Sequence, residues 1–421
     1  MSNISFADVV HQSISFNESD PAEKLLLKLI DTPWVQRLRD ISQTANTRLV
    51  YMFSEHSRFG HCLGVAYMAC QLIEKLAIKQ VQVKDYKVAV SVAALLHDIG
   101  HLAPGSHIAQ KVWFPEKSDE HEQIAVRILS QADTLVNLLN SYSSDLLAQV
   151  QSILLEKADV PPWTWQIISG GGWNVDRGNW CIVDSILAGV SYGKYNIPAL
   201  TDSIVLTPDL NLSLRENRLD AMMHFAVSRH AMYRQLYQHR VLLTADHITK
   251  MLVKRARELT GTNIFADETM RSALQARQQS DLTLSQIYWM REAWWRYHLF
   301  QWSQSSDSIL SDLSKRLLER RLFKTIRIRS VDNESDLLAQ AGLAMEKCGY
   351  DPNYYLKVVS TMDVHQGDSR QSMLVTLDDG RQRALIDSDP LMQVLLGEEE
   401  EYKKRWLIMP EDVKALLGRE R

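Results

Sequence analysis

The sequence is short of cysteine, of long apolar runs and of net charge. Its four cysteines include no Cys-x-x-Cys pair, which argues against a disulfide framework or a cysteine zinc site and favours reduced thiols in a cytoplasmic protein. No segment approaches about 18 consecutive apolar residues, and residues 1–16 lack a basic region, so we predict no membrane span and no signal peptide. The formal net charge of −4 gives no basic footprint for bulk binding to nucleic acid or membrane.

The sequence does have the composition of a globular protein, with 45% hydrophobic and 23% charged residues in a chain of 421. A single core rarely exceeds roughly 250–300 residues, so we expect one large domain with an appendage. Apolar residues recur at the three- and four-residue spacing of helices, for example in 61–78 and 85–98. Further helical patterns cover residues 21–43, 119–157, 176–188, 216–259 and 281–321.

The pattern changes towards the C-terminus. Residues 323–331 alternate like a strand, and a helical pattern covers 334–348. The segments SMLVTL and RQRALI flank the turn Asp378-Asp379-Gly380, which is typical of a β-hairpin. We therefore expect a mainly α fold, with a helical body over residues 1–320 and a small C-terminal α+β subdomain over residues 321–421.

Histidine and aspartate residues form the strongest candidate for chemistry. His97-Asp98 ends the apolar helical pattern, and ionisable residues there need a partner because burying an unpaired charge is costly. A metal ion supplies such a partner. His61 opens a second predicted helix and Asp176 begins a third. Together these two imidazoles and two carboxylates would leave coordination positions open on Mn, Fe, Co, Ni or Mg.

The order of these residues and their flanking segments resembles the HD superfamily of metal-dependent phosphohydrolases. More narrowly, it is similar to the deoxynucleoside triphosphate triphosphohydrolase branch. The segments that carry the resemblance lie within residues 1–260, in the family's order, and several together are far more specific than a single His-Asp pair. They are IDTPWVQRLRDISQ (30–43), EHSRFGHCLGVAYMA (55–69), ALLHDIGH (94–101), HEQ (121–123), VDRGNWCIVDSILAGVSYG (175–193) and FAVSRHAMYRQLYQHR (225–240).

The resemblance implies a helical HD-domain bundle and an enzyme that uses one divalent metal ion. In this family a metal-activated water attacks the α-phosphorus of a dNTP, and the products are a deoxynucleoside and triphosphate. The implied metal ligands are His61, His97, Asp98 and Asp176. The leaving oxygen needs a proton, which a histidine can donate near neutral pH. The implied catalytic residues are His101, His107, His121 and Glu122.

The resemblance also implies a surface that binds the nucleotide. The implied substrate-binding residues are Gln43, Arg58, Arg177, Trp180, Asp184, Arg229 and Tyr237. The arginines would bind the triphosphate, since a planar guanidinium makes two-point contacts with phosphate. Gln43 and Asp184 would meet the 3′-hydroxyl, and Tyr237 would pack against the C2′ edge of the sugar.

Several residues depart from the family pattern. Gln110 stands where the family often has an aspartate that would orient His107, and glutamine stabilises an imidazolium less well than a carboxylate. Thr44 replaces a leucine that packs against the sugar, which weakens the exclusion of a 2′-hydroxyl. Asn179 replaces an aspartate outside the ligand positions. Each candidate residue taken alone also fits an ordinary structural role, such as a helix cap or core packing.

Two other functions fit the same residues. One is an HD phosphatase or phosphodiesterase that acts on another nucleotide, because the departures concentrate among substrate-facing positions. The other is a non-catalytic nucleotide-sensing module, which the Gln110 substitution favours and the intact ligand set disfavours.

The expected partners are a nucleotide substrate, a nucleotide effector of the kind that some family members bind, and other copies of the chain in a homo-oligomer. Neither a membrane nor nucleic acid is expected as a partner. The aromatic stretch Tyr288–Trp302, which includes Arg291 and Arg296, could stack single-stranded bases. We interpret it instead as inter-helix core or a subunit interface.

Overall fold

A computed structural model describes residues 3–117, 120–262, 264–329, 332–361, 373–396 and 404–418, apart from the side chains of Ser106 and His107. This part of the chain is mainly helical, as predicted. Its helices are α1 (Pro21–Ile30), α2 (Pro33–Arg37), α3 (Arg58–Ala77), α4 (Lys87–Leu96), α5 (Ser106–Trp113), α6 (His121–Gln131), α7 (Asp133–Tyr142), α8 (Leu146–Leu154), α9 (Pro162–Ser169), α10 (Val175–Leu187), α11 (Ile197–Ser203), α12 (Leu219–Met232), α13 (Arg240–Glu258), α14 (Glu268–Gln275), α15 (Leu284–Trp289), α16 (Glu292–Trp302), α17 (Ser308–Leu318), α18 (Glu334–Cys348), α19 (Pro352–Tyr355), α20 (Pro390–Leu396) and α21 (Glu411–Leu416). None of the helices in these ranges has the length and apolar character needed to cross a bilayer.

Helices α3 and α4 form the centre of the helical body. Every residue of α4 from Ala89 to Leu96 is buried, and α3 buries side chains along most of its length. α4 packs against α1, α3 and α8, and α3 also contacts α10. A helix that is apolar on all sides must be covered on all sides. This packing holds the C-terminal end of α4, which His97 and Asp98 follow, inside the body.

Three small sheets accompany the helices. The strands are β1 (Asn3–Asp8), β2 (Gln12–Asn17), β3 (Ile204–Leu206), β4 (Leu212–Arg215), β5 (Lys324–Ile328), β6 (Lys357–Ser360), β7 (Leu374–Thr376), β8 (Gln382–Ala384) and β9 (Arg405–Met409). β1 and β2 form an antiparallel hairpin, and β9 pairs antiparallel with β5 on one side and β6 on the other. The third sheet has the order β3-β4-β7-β8, and its β4 and β7 run parallel with Ser213 opposite Leu374.

The C-terminal elements agree with the sequence expectations, whereas two hairpins were not expected. The helical pattern at 334–348 is α18, the strand pattern at 323–331 contains β5, and the predicted hairpin is β7–β8. The hairpins β1–β2 and β3–β4 lie in the part of the chain expected to be helical. Because β4 pairs with β7, the two parts share one sheet. The division of the chain into a helical body and a C-terminal subdomain at residue 320 therefore remains a proposal.

The aromatic stretch Tyr288–Trp302 has an inner and an outer face. Trp295 and Trp302 are buried in the core, whereas Tyr297 and Phe300 are more than half exposed, at 52% and 56%. The inner face of this stretch packs into the hydrophobic core between helices. The prediction that the chain associates with further copies of itself stays a prediction.

Candidate metal centre and active site

Three helix termini carry the predicted metal ligands. His61 lies in the first turn of α3, and His97 and Asp98 directly follow α4. Asp176 lies in the first turn of α10, where the side chain of Asn174 caps the helix by accepting a backbone hydrogen bond. The ends of three helices therefore position these four side chains, which come from distant parts of the sequence.

The four side chains converge on one point. Nε2 of His61 lies 3.0 Å from Oδ1 of Asp176 and 3.6 Å from Oδ2 of Asp98. Nε2 of His97 lies 3.6 Å from the same Asp176 oxygen and 3.5 Å from Oδ1 of Asp98. The ligand atoms of His61, His97 and Asp176 all lie within 4.8 Å of one another.

The two imidazoles are oriented by hydrogen bonds on their far sides. Nδ1 of His61 lies 2.9 Å from Oδ1 of Asn179, and Nδ1 of His97 lies 2.9 Å from the carbonyl oxygen of Ala94. Both oxygens can only accept, so each Nδ1 donates its hydrogen and a neutral ring keeps a lone pair on Nε2. Both Nε2 atoms are buried and lack a hydrogen-bond partner among the described residues. A divalent ion fits this donor set.

Neighbouring side chains lower the pKa of both carboxylates. Burial alone would raise the pKa of Asp98, but the Arg58 guanidinium, which donates to Oδ2, and His97 hold it well below its usual range. Burial also opposes ionisation of Asp176, yet His61 and His97 lower its pKa below the ordinary value. A carboxylate binds a metal ion only when it is deprotonated, and the low pKa values of Asp98 and Asp176 keep both carboxylates deprotonated. Arg58 contacts a predicted metal ligand, and its predicted role in binding phosphate stays a prediction.

The predicted catalytic residues lie beside this centre. Nε2 of His101 is 3.1 Å from Oδ1 of Asp98, and burial lowers the pKa of His101 to about 4. The rings of His101 and His121 stack with centroids 4.3 Å apart, and Nδ1 of His121 lies 3.4 Å from Oε2 of Glu122. The side chain of His107 is outside the described residues, and its role stays a prediction.

A cavity of ≈ 210 Å³ opens onto the centre. Its wall includes the predicted residues His97, Asp98, His121, Glu122, Asp176 and Arg177. Nη1 of Arg177 donates to the carbonyl oxygens of Gly170 at 3.2 Å and Gly172 at 3.3 Å, which anchors the guanidinium in that wall. The volume is below the range of about 300–1,000 Å³ for small-molecule pockets. This cavity, which we call the catalytic cavity, can hold the phosphate end of a nucleotide.

A second cluster of predicted residues surrounds Asp184, two turns further along α10. The hydroxyl of Tyr237 donates to Oδ2 of Asp184, and Nε2 of His56 lies 2.7 Å from Oδ1. The backbone N–H of Gln43 donates to the carbonyl oxygen of His56 at 3.0 Å. The Trp180 ring centroid lies 5.5 Å from that of Tyr237. Burial raises the pKa of Tyr237, so its hydroxyl remains a donor.

Sequence reasoning missed His56, although it lies within the segment EHSRFGH that carried the resemblance. Nothing in that segment's spacing linked it to Asp184, which is 128 residues away. Tyr237 ends a single π-helical turn, Tyr233–Tyr237, and such turns are frequent at functional sites. The buried Arg229 packs its guanidinium 5.0 Å from the Tyr233 ring centroid, behind the same turn.

Comparison with known proteins places this geometry in a family. Residues 58–162 match the HD domain. The chain carries an HD domain. The match spans His61, His97, Asp98 and the stacked histidines, and it ends before Asp176. The resemblance to HD phosphohydrolases, inferred from the sequence, is confirmed.

Similarity to other proteins extends beyond the matched segment. The chain is 28% identical over 361 residues to the uncharacterised protein YwfO of Bacillus subtilis, which covers 85% of this chain and 80% of YwfO. It is 34% identical over 159 residues to the deoxynucleoside triphosphate triphosphohydrolase SAMHD1 of Mus musculus, which covers 36% of this chain but 22% of SAMHD1.

A solved structure is similar over almost the whole chain. The phosphohydrolase BT4208 of Bacteroides thetaiotaomicron matches with a TM-score of 0.79 and 22% identity, covering 97% of this chain and all of that one. At this identity the likeness concerns the fold. It supports a mainly helical fold with small sheets over the matched length.

Proposed function

We propose that this HD-domain phosphohydrolase hydrolyses nucleotides, and most directly a dNTP to its deoxynucleoside and triphosphate. The observation that carries the proposal is the convergence of His61, His97, Asp98 and Asp176, with two buried and unpartnered Nε2 atoms, at the wall of a cavity. The similarity to the deoxynucleoside triphosphate triphosphohydrolase SAMHD1 supports the dNTP as substrate, although this chain matches only part of that protein.

His61, His97, Asp98 and Asp176 would hold one divalent metal ion. When bound, such an ion stabilises negative charge on phosphoryl oxygens and lowers the pKa of a water molecule. The chain prepares the site in two ways. Hydrogen bonds to Asn179 and Ala94 fix the imidazole orientations, and Arg58 and the two histidines lower the pKa of the carboxylates.

The remaining residues of the catalytic cavity suit phosphate binding and proton transfer. Arg177 lines the cavity and would bind phosphate oxygens. The leaving oxygen needs a proton, and we assign its delivery to His121, which lines the cavity and lies next to Glu122. His101 suits this less well, because burial keeps its ring neutral and its Nε2 faces Asp98.

The cluster around Asp184 would bind the sugar. Asp184 has both carboxylate oxygens engaged, one by Tyr237 and the other by His56, and Gln43 is tied to the same group through its backbone. A carboxylate held in this way is a rigid acceptor for a sugar hydroxyl. The Trp180 and Tyr237 rings would provide an apolar wall for the sugar.

Product analysis separates this proposal from its alternatives. The purified chain is incubated with dATP and Mn²⁺, and the products are separated by anion exchange. Triphosphate with deoxyadenosine supports the proposal. Release of phosphate or pyrophosphate instead supports a phosphatase or phosphodiesterase, and no product with Mn, Fe, Co, Ni or Mg supports a nucleotide-sensing module. Asp98→Asn is expected to abolish turnover while its circular dichroism spectrum stays that of the wild type.

A further inference from the structure

A second cavity lies along α13. It has a volume of ≈ 390 Å³ and is bounded by α13, by α5 and by residues 353–359. Among the described residues, none lines both this cavity and the catalytic cavity. We call it the lysine cavity, after its lysines; the polar residues that line it are Lys111, Asp246, His247, Lys250, Lys254, Asn353 and Lys357.

The charge of the lysine cavity is strongly positive. Four lysines line it against one aspartate, and that aspartate, Asp246, accepts a hydrogen bond from Nδ2 of Asn46 at 2.9 Å. Three of the charged residues recur on one face of α13, because positions 246, 250 and 254 are each four apart. Lys357 and Lys111 approach from β6 and α5. Concentrating ammonium groups around a concave surface favours the binding of an anion.

A buried histidine forms part of the same wall. His247 is only 7% exposed, and its ring lies 6.2 Å from the ring of Phe323. One ring nitrogen is hydrogen-bonded to the backbone of Tyr354, whereas Nε2 is buried and has no hydrogen-bond partner among the described residues. Nδ1 is therefore the donor to Tyr354, which leaves Nε2 as an acceptor in the neutral ring.

The lysines keep this ring neutral. Burial, together with Lys250 and Lys357, lowers the pKa of His247 to about 3. A buried acceptor without a donor is unfavourable, and native proteins rarely leave one. The missing partner of Nε2 is an N–H or O–H group, which a fully ionised phosphate does not offer.

We propose that the lysine cavity is a second binding site, for a phosphate ester that also carries a hydroxyl or amino group. The phosphate lies among the lysines, and the neutral donor of the ligand reaches Nε2 of His247. The volume falls in the range of about 300–1,000 Å³ typical of small-molecule sites. The inference does not depend on the reaction proposed for the catalytic cavity.

Adenosine 5′-monophosphate is a suitable probe, because it combines a phosphate with hydroxyl and amino donors. The full chain is titrated with this nucleotide by calorimetry in a buffer with a chelator, so that turnover plays no part. The double variant Lys250→Gln/Lys357→Gln is expected to weaken binding about tenfold or more, since charge-assisted bonds to phosphate are lost. The control Lys24→Gln/Lys28→Gln makes the same charge change on α1 and is expected to bind as the wild type does.

A second probe tests the role of His247. Phenyl phosphate at pH 8 carries a doubly ionised phosphate ester without a hydroxyl or amino group, and is expected to bind more weakly than the nucleotide. The inference is overturned if the wild type does not bind the nucleotide, or if the lysine variant binds it unchanged. Equal affinity for phenyl phosphate would overturn the part assigned to His247. These binding results would hold even if the chain did not hydrolyse dNTPs.

Discussion

Nδ1 of His61 donates to Oδ1 of Asn179 over 2.9 Å, and this hydrogen bond turns Nε2 of the same ring towards Asp176, 3.0 Å away. Asn179 also belongs to α10, the helix that carries Asp176. One helix thus supplies both a predicted ligand and the group that orients another. Outer hydrogen bonds of this kind fix the ring orientation and tautomer of metal-binding histidines.

Replacing Asn179 tests that orientation. Asn179→Leu has a similar volume but no acceptor, so the His61 ring loses its fixed tautomer. The Mn²⁺ affinity is expected to fall about 10- to 100-fold, the usual cost of losing such a partner. Asn179→Asp keeps an acceptor at the same place and is the matched control. A calorimetric Mn²⁺ titration in which the leucine variant equals the wild type would show that Asn179 does not orient His61.

Two glycines of α3 offer a second test with an internal control. A Cβ at Gly64 would lie 2.3 Å from Nδ2 of Asn179, whereas a Cβ at Gly60 meets nothing within 4 Å. Gly64→Ala must therefore displace Asn179, and its Mn²⁺ affinity is expected to fall about tenfold or more through the loss of the His61 partner. Gly60→Ala should leave metal binding unchanged and stabilise the fold by about 0.5–1 kcal/mol in thermal unfolding. Equal metal binding by the two variants would refute the contact argument.

Those parts of the site and of the fold that depend on short sequence patterns could be predicted from the sequence. His97-Asp98 was visible because ionisable residues ended an apolar helix, and the C-terminal elements were visible through helical spacing and a turn signal. Helix α18 begins and ends at the predicted residues, Glu334 and Cys348.

The parts that were missed depend on contacts between distant segments. β3 and β4 have only three and four residues, and β4 is completed by β7, which follows about 160 positions later. Short strands of this kind depend on their neighbours more than on their own propensity. His56, which precedes α3, likewise acquires its role from Asp184 on α10. Polar and apolar residues alternate in the sequences of β1 and β2, but this alternation alone did not predict that the two strands pair as a hairpin.

The hydroxyl of Tyr237 gives a test of the sugar-binding cluster. Tyr237→Phe removes the donor to Asp184 and leaves a buried carboxylate oxygen without a partner. We expect kcat/KM for dATP to fall about tenfold, in line with the loss of one hydrogen bond to a charged group. Tyr233→Phe changes the other end of the same π-turn and should stay within about twofold in the same steady-state assay. Equal effects of the two changes would argue against a role for Asp184 in binding the sugar.

Glu292 predicts a dependence of stability on pH. Burial raises the pKa of Glu292 from 4.5 to about 7, although its carboxyl accepts from the backbone N–H of Ser42 at 3.3 Å. Between these pH values the unfolded chain releases a proton that the folded chain keeps, so stability falls as the pH rises. The loss is on the order of 3 kcal/mol.

Glu292→Gln should remove this loss, because a glutamine can accept the same hydrogen bond without ionising. Urea unfolding at pH 5 and pH 8 measures it. The variant is expected to gain stability relative to the wild type at the higher pH. A difference between the two proteins that is the same at both pH values would contradict the raised pKa.

The central claim is that His61, His97, Asp98 and Asp176 bind one metal ion, and metal content tests it most directly. The chain is loaded with Mn²⁺, dialysed and analysed by plasma mass spectrometry, beside His61→Ala, Asp176→Ala and the control His247→Ala. We expect about one ion per chain in the wild type and the control, and a small fraction of that in the other two variants. Full metal content after His61→Ala and Asp176→Ala, or no metal in the wild type, would contradict the account.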